Sequence, residues 1–371
     1  MTVPFRTRTA RTSTERLIMT KLPSGARSAA AVVALLAMAL SGCASASERT
    51  AGTSTCPFAP DESITATARI AYQHIPNGDL IVKDQGILEA CMPNAKITWS
   101  KYDSGGDVVQ AFGSNSADLG LIGSSPATKA LSATLNIDMK VVWLHDVIGA
   151  AESLIAKDTS VKSIADLKGR TIAVPFSSTA HYSLLNALRE AGLDTAKDVK
   201  VINLSPDKVI GAWQSGEVDA AWVWDPTLTQ LKAEGTVVTG SGETAEAGFP
   251  TFDAAGATTA FISANPGFMD VWTKSQDYAV ELINEDPKAA AVSVAVELGI
   301  SPEEVEKQFT GYKYLTAEEQ GGAEYFGGKL AGDIHKTAGF LHGEGEISAV
   351  GNEQAYTDGL YGASISKAGT K

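Results

Sequence analysis

The chain is predicted to fold as an α/β protein of two lobes, and three observations lead there. From Ser63 onward, short β-branched runs alternate with segments of helical periodicity, the pattern of mostly parallel sheets flanked by helices. One helix–turn–strand segment, Asp107 to Ser124 (DVVQAFGSNSADLGLIGS), aligns without a gap on Lys208 to Asp225 (KVIGAWQSGEVDAAWVWD), sharing Val108/Val209, Ala111/Ala212, Ser114/Ser215 and Asp118/Asp219. A chain of 371 residues is also long enough for about two domains. Two such units suggest two similar lobes, each offering a strand end to a common cleft.

Strands are expected at Thr65–Tyr72, Lys96–Lys101, Asp118–Ile122, Lys140–Leu144, Ser153–Ala156, Thr171–Val174, Val199–Leu204, Val218–Val223 and Ala260–Ser263. Helices are expected at Asp79–Ala90, Asp107–Phe112, Ser125–Leu135, Ser178–Ala191, Lys208–Gln214, Thr227–Ala233, Pro266–Glu285, Pro287–Leu298, Pro302–Gln308 and Ala317–Leu341. The chain is almost wholly helical from Pro266 on. The expected division is 63–150 for the first lobe, 151–256 for the second, 257–345 for a return to the first, and 346–371 for a tail.

Ahead of this body, Lys21 and Arg27 precede twelve apolar residues, Ala29 to Leu40, and then small residues before Cys43. Twelve residues cannot cross a bilayer core that needs about twenty, so residues 1–42 read as a secretion signal, with Met19 an alternative start. Leu40-Ser41-Gly42-Cys43 resembles a bacterial lipobox, which makes Cys43 the lipidated first residue of the mature chain. Residues 43–62, small and polar, then read as a tether. With Cys43 set aside, Cys56 and Cys91 form an even pair in an oxidising compartment. A disulfide is the simple account, and two separate buried thiols the other.

The chain carries 30 basic and 43 acidic residues, a net charge of −13, and comes near −18 once the six basic and one acidic residues of 1–42 are set aside. Such a balance excludes nucleic acid as a partner.

The segment VPFSSTAHYS places Ser177, Ser178 and Thr179 where a buried strand stops at Pro175 and a helix begins. Ser178 or Thr179 suits the helix cap. Ligands in open α/β sheets bind beyond the carboxyl ends of strands, where helix N-termini offer free N–H groups to an anion. Hydroxyls there add neutral donors, enough for a sulfonate, sulfate or phosphate without lysine or arginine; the competing reading is a plain cap. A second junction, LGLIGSSPATKAL, offers Ser124 and Ser125 before Pro126, whose missing N–H costs nothing at the first helical position. The loop AAWVWDP supplies the opposite chemistry. Trp222 and Trp224 lie on one face of a strand, where core packing is favoured for Trp222 and a ring for a cationic group remains open. Asp225 beside them, Asp253 in TFD and Asp103 in KYDSGGD are candidate carboxylates.

The segments AYQ, KYDSGGDVV, LIGSSPA, SIADLKGRTIAVPFSSTAHYSLL, GAWQSGEVDAAWVWDPTL and FPTFD resemble, in this order, the taurine-binding proteins of ABC importers, over about Ile64 to Leu341. The resemblance implies a type II periplasmic-binding-protein fold, two α/β lobes joined by two crossovers and closing on a ligand in the cleft between them. It implies Gln73, Asp103, Ser104, Ser124 and Ser125 as ligand residues from the first lobe, with Ser178, Thr179, His181, Trp222, Trp224 and Asp253 beside them. His181, a turn into its helix, can equally face the sheet. Familiar soluble members lack the lipobox and the cysteine pair and have alanine where this chain has Asp225, which keeps Asp225 and Asp253 both open as partners for an amine. The lipobox suggests the outer face of a Gram-positive cell membrane.

An enzyme is the rival class. His74, His145, His181, His335 and His342 show no metal spacing, and there is no nucleophile elbow, phosphate loop or dinucleotide fingerprint. Ser178 and His181 would need an orienting third group. The expectation is therefore a monomeric, lipid-anchored receptor without cofactor that captures taurine or a close aminosulfonate for an ABC permease and its ATPase. An aliphatic sulfonate, nitrate or a thiamine-precursor pyrimidine is the alternative ligand.

Overall fold

A computed structural model describes residues 54–132, 135 and 137–370. Residues 1–42 and Cys43 therefore lie outside the described residues. The first lobe opens with β1 (Thr67–Tyr72), α1 (Gly78–Asp84), α2 (Ile87–Cys91), β2 (Lys96–Lys101), α3 (Gly105–Gly113), β3 (Leu119–Leu121) and α4 (Ser124–Leu131). Strand β4 (Met139–Ile148) leads out of it into β5 (Glu152–Ala156) of the second lobe. That lobe continues with β6 (Thr171–Val174), α5 (Thr179–Glu190), β7 (Lys200–Asn203), α6 (Pro206–Ser215), β8 (Ala220–Trp224), α7 (Thr227–Lys232), β9 (Thr236–Gly240) and α8 (Ser241–Glu246). Strand β10 (Phe252–Thr258) returns to the first sheet, followed by α9 (Thr259–Ala264), α10 (Pro266–Glu285), α11 (Pro287–Leu298), α12 (Pro302–Phe309), β11 (Tyr312–Lys313), α13 (Ala317–Gly321), α14 (Leu330–Gly343), α15 (Glu353–Asp358) and α16 (Ala363–Ala368).

The first sheet has the order β11-β4-β10-β3-β1-β2 and the second β7-β6-β8-β5-β9. Both are mixed, where mostly parallel sheets are expected. Each has a parallel half, β2-β1-β3 and β7-β6-β8, and a remainder, β10-β4-β11 and β5-β9, in which every pairing is antiparallel. A strand entering from the other lobe arrives in the reverse direction, which is why β10 in the first sheet and β5 in the second run against both of their neighbours.

The repeated segment occupies equivalent places, as α3–β3 and α6–β8. In each copy the shared aspartate ties the start of its strand to the neighbouring one. The Asp118 carboxylate accepts from Arg69 N at 2.9 Å and that of Asp219 from Thr171 N at 2.8 Å, while Asp118 N and Asp219 N donate to Arg69 O and Thr171 O. The shared alanines also match: Ala111 O accepts from Ser116 N and Ala212 O from Glu217 N, closing the same turn.

Both sheets are packed on two faces. On β8, Trp222 and Trp224 join the apolar layer under α5, while Ala221 and Val223 join that under α6 and α7, the period of two that a strand imposes. Pro266, Pro287 and Pro302 each open a helix where a missing N–H is harmless.

Several expectations are overturned. Ala260–Ser263 is not a strand but lies in α9, capped by Thr258, whose hydroxyl accepts from Phe261 N; a short apolar run reads the same in either state. The expected helix Ala317–Leu341 is broken between α13 and α14 at the glycine-rich segment 321–328. The expected helix Asp79–Ala90 divides at Gly86, which stands at φ 61°. Strands β9, β10 and β11 and helices α8, α15 and α16 have no counterpart among the expected elements; the last two fall in the expected tail 346–371.

Cys56 and Cys91 are joined in a disulfide, with their Cα atoms 4.8 Å apart. It holds the start of the described chain against α2, where Asp61 N also donates to Cys91 O. Closing a loop over a sequence separation of 35 is worth roughly 3–4 kcal/mol in the loop-entropy account. The Cys56→Ser/Cys91→Ser double variant is expected to lose stability of that order in urea unfolding, and an unchanged midpoint would show that the bridge constrains nothing.

Candidate ligand-binding site

A small pocket lies between the sheets, with an empty volume of about 330 Å³ that includes space open to solvent. Gln73, Ile75, Gly105, Ile122, Gly123 and Pro126 line it from the first lobe, and Ser178, Thr179 and Trp224 from the second. Ile148, Glu152, Asp253 and Tyr312 complete it from the strands at the lobe junction.

One wall is built from helix beginnings. Gly105 opens α3, Gly123 and Pro126 stand at the start of α4, and Ser178 and Thr179 start α5. The first N–H groups of a helix have no intrahelical acceptor and lie at the positive end of its dipole, so three of them around one space favour an anion. Gly123 stands at φ 72°, and a Cβ on it would lie 3.1 Å from Thr179 Cγ2 and 3.6 Å from Asp253 Oδ1. Backbone conformation and pocket space both call for glycine there.

The opposite chemistry is a set of buried carboxyls with no lysine, arginine or histidine among the lining residues. Glu152, at the start of β5, accepts hydroxyl bonds from Thr179 at 2.5 Å, from Ser183 at 3.5 Å and from Ser241. Burial nevertheless pushes its carboxyl up to about 7, these hydroxyls pulling the other way. Asp253 is pushed up to about 8, first by burial and then by the charge on Glu152. Asp146 pairs with Asp253 across β4 and β10, and burial followed by the neighbouring carboxylates holds its proton on well above the usual range.

Of the residues singled out from the sequence, Gln73, Ser178, Thr179, Trp224 and Asp253 line this pocket. Gln73 Nε2 donates to Leu121 O at 3.0 Å. The Ser178 hydroxyl caps α5, accepting from His181 N at 3.1 Å and donating to Pro175 O at 2.6 Å. The Thr179 hydroxyl, assigned to an anion from the sequence, is committed to Glu152 instead. Ser124 and Ser125 are buried beside the pocket without lining it, and Ser124 Oγ accepts from Phe252 N at 3.3 Å.

The remaining candidates lie elsewhere. Ser104 caps α3, and Asp103 sits in the outer groove with Lys101 3.6 Å away. His181 stacks on Phe176 with ring centroids 4.6 Å apart, and burial lowers it to about 4. Trp222 is fully buried in the core. The Asp225 carboxylate turns to α7, where Thr229 N and Oγ1 donate to it at 3.0 and 2.6 Å.

Sequence reasoning missed Glu152, Asp146 and Tyr312. The available signal was a lone acid within an apolar strand, in VVWLHDVI and in ESLIA, where an uncompensated charge is costly enough to need a reason.

Outside the pocket the lobes meet directly. Lys129, on α4, donates to Ser177 Oγ at 2.9 Å and pairs with Glu346. Ser177 sits at φ 58°, a conformation that non-glycine residues hold only when their surroundings impose it.

Two lobes closing on an enclosed space, with anion donors on one wall and carboxyls on another, define a solute-binding protein of the two-lobed type II periplasmic class. The chain belongs to the family described as NMT1/THI5 like, which matches residues 96–290. It is 34% identical to the taurine-binding periplasmic protein of Escherichia coli K12 over 70% of this chain and 81% of that one. In structure it is similar to the alkanesulfonate-binding protein of Xanthomonas axonopodis pv. citri bound to MOPS, with a TM-score of 0.65 and 23% identity over 82% of this chain and 99% of that one. A desulfurization enzyme shares the fold at 15% identity and a TM-score of 0.58, covering 82% of this chain and 98% of its own.

The raised Glu152 carboxyl has a measurable consequence. Its folded value of about 7 lies above the ordinary 4.5, so the stability it contributes is full below about 4.5 and is lost as pH rises through 7. Glu152→Gln is expected to remove roughly 2–3 kcal/mol of the decline between about pH 5 and about pH 8. Urea unfolding at both pH values checks this, and an equally steep decline in the variant would place the titration elsewhere.

Proposed function

We propose that the protein is a non-catalytic, extracytoplasmic receptor that captures taurine or a close aminosulfonate and delivers it to an ABC permease. One observation carries the reading: a small pocket that sets three helix N-termini against buried carboxyls with no lining cation. A sulfonate stays ionised at ordinary pH and is satisfied by neutral donors, here the first N–H groups of α3, α4 and α5. An ammonium withdrawn from water needs a carboxylate or an aromatic face. Asp253 supplies the first and Trp224 the second. A plain alkanesulfonate or nitrate brings no cation to the buried carboxyls, so the aminosulfonate is preferred. Similarity to the taurine-binding relative supports the same choice.

Asp253, not Asp225, is the proposed amine partner, because Asp225 is engaged by Thr229 and does not line the pocket. Calorimetry against taurine, ethanesulfonate, nitrate and glycine betaine tests the assignment. Asp253→Asn is expected to weaken taurine by about 2 kcal/mol or more, roughly thirtyfold, and to leave ethanesulfonate nearly unchanged. Equal losses for both ligands would make the aspartate structural and remove the reason for an amine.

The same proposal puts the protein on the outer face of a cell membrane, held by lipid on Cys43, as suits a Gram-positive cell with no outer membrane to retain a soluble receptor. Cys43→Ala is expected to release the protein into the medium, measured by fractionation; continued membrane retention would rule out this anchor.

A further inference from the structure

Asp146 does not line the pocket, yet it is the most constrained acid beside it. It is wholly buried on β4 and stands opposite Asp253 of β10 in the strand register. Neither of its carboxyl oxygens makes a hydrogen bond of ordinary geometry, and the Asp253 N–H nearby offsets its burial only in part. An ionised carboxylate in that position would bear most of its desolvation cost. Two facing carboxyls are both acceptors unless one keeps a proton, and with a proton between them they form one donor–acceptor pair.

We propose that Asp146 is a positioning residue for ligand binding: it remains a neutral carboxylic acid, donates its proton to Asp253 and leaves the other Asp253 oxygen for the ligand's ammonium. The inference rests on the aminosulfonate reading for its ligand and on the β4–β10 pairing for its geometry. The ionisable groups around the pair come from several elements. Glu152 approaches from β5, Tyr312 from β11, Tyr314 just beyond it, and Asp225 from the end of β8; the charges of both Asp146 and Asp253 reach the two tyrosines. His145, next along β4, faces Asp79 in the core, 3.5 Å away. No cation contributes to the titration of Asp253. In such surroundings a second ionisation opposes the first, and the pair titrates as a unit. The charge of the bound ammonium favours the ionised form of Asp253, whose proton leaves to solvent, while Asp146 holds its own.

Two nearly isosteric variants separate this role from simple packing. Asp146→Asn keeps a donor toward Asp253 through its amide; Asp146→Leu removes it. Taurine affinity, followed by calorimetry across about pH 5.5 to 8.5, is expected to stay within about threefold of the unaltered protein in Asp146→Asn. In Asp146→Leu it should fall about tenfold or more near pH 7, with the midpoint of its pH dependence displaced upward. Ethanesulfonate binding, with no amine to place, should be nearly equal in all three and reports an intact pocket. Equal loss in both variants, or a leucine variant with an unchanged pH profile, would overturn the inference. If the unaltered protein ignores taurine, the functional reading fails instead. The proton on Asp146 is then still tested by infrared difference spectra of the ligand-free protein at neutral pH. The unaltered chain should show a protonated-carboxyl stretch that Asp146→Asn lacks, and no difference between the two would overturn the inference whatever the ligand.

Discussion

The structure turns on burying carboxyl groups at the junction of two lobes without a lysine or arginine to neutralise them. Asp146, Glu152 and Asp253 all belong to strands that carry the chain from one sheet to the other. Their desolvation is met by neutral groups: hydroxyls of Thr179, Ser183 and Ser241 on Glu152, and, in the role proposed for Asp146, its proton donated to Asp253. The hydroxyls come from the start of α5, from its second turn and from the start of α8. Much of the polar sequence around the cleft therefore serves to make an acid tolerable rather than to touch a ligand. Close packing at the crossover adds to the constraint, since a Cβ on Gly311 would stand 2.6 Å from Ala151 N.

The internal repeat explains how two walls of different character arise from one plan. Asp118 and Asp219 lock β3 and β8 to their neighbours in the same way, so both strands end at the cleft. Beyond those ends the two copies diverge. After β3 comes Gly123, whose N–H is held by Ala254 O, and an immediate helix start, where the N–H groups of Ser124 and Ser125 have no intrahelical acceptor; at the end of β8 come Trp224, which lines the pocket, and Asp225, a carboxylate that steadies α7. The same scaffold thus delivers an anion-binding terminus from one lobe and an aromatic cover from the other.

The parallel halves of both sheets were legible because alternation, caps and the repeat agree there: β2 and β6, and the helices opening at Pro266 and Pro287, have the bounds read from the sequence. The antiparallel strands were not. Strand β10 runs through FDAAGAT, small residues with weak strand preference, and is held by pairing on both sides rather than by local propensity. The pocket was legible from hydroxyl-rich junctions and from TFD, which bring Ser178, Thr179 and Asp253 to it. The role of the hydroxyls was not, because whether Thr179 faces an anion or a carboxylate depends on Glu152, which reaches it only through the crossover. Asp103, His181 and Asp225 were plausible as ligand groups for their chemistry alone; tertiary placement gives each another occupation.

Neutral carboxyls also bear on how the lobes come together. With Glu152 near 7 and Asp253 near 8, the junction can close without burying full negative charge, and Lys129 bridging to Ser177 supplies a contact between lobes outside the pocket. Closure alone therefore does not require a cation. A bound ammonium changes the balance, because an opposite charge in a water-poor site favours the ionised carboxylate and strengthens as water is excluded. By favouring release of the carboxyl proton to solvent, the ligand would create the negative partner that holds it. Selectivity for a zwitterion then arises without a permanent charge pair in the protein: an anion alone gains the helix termini but leaves the acids neutral, and a cation alone leaves the helix termini without their anion.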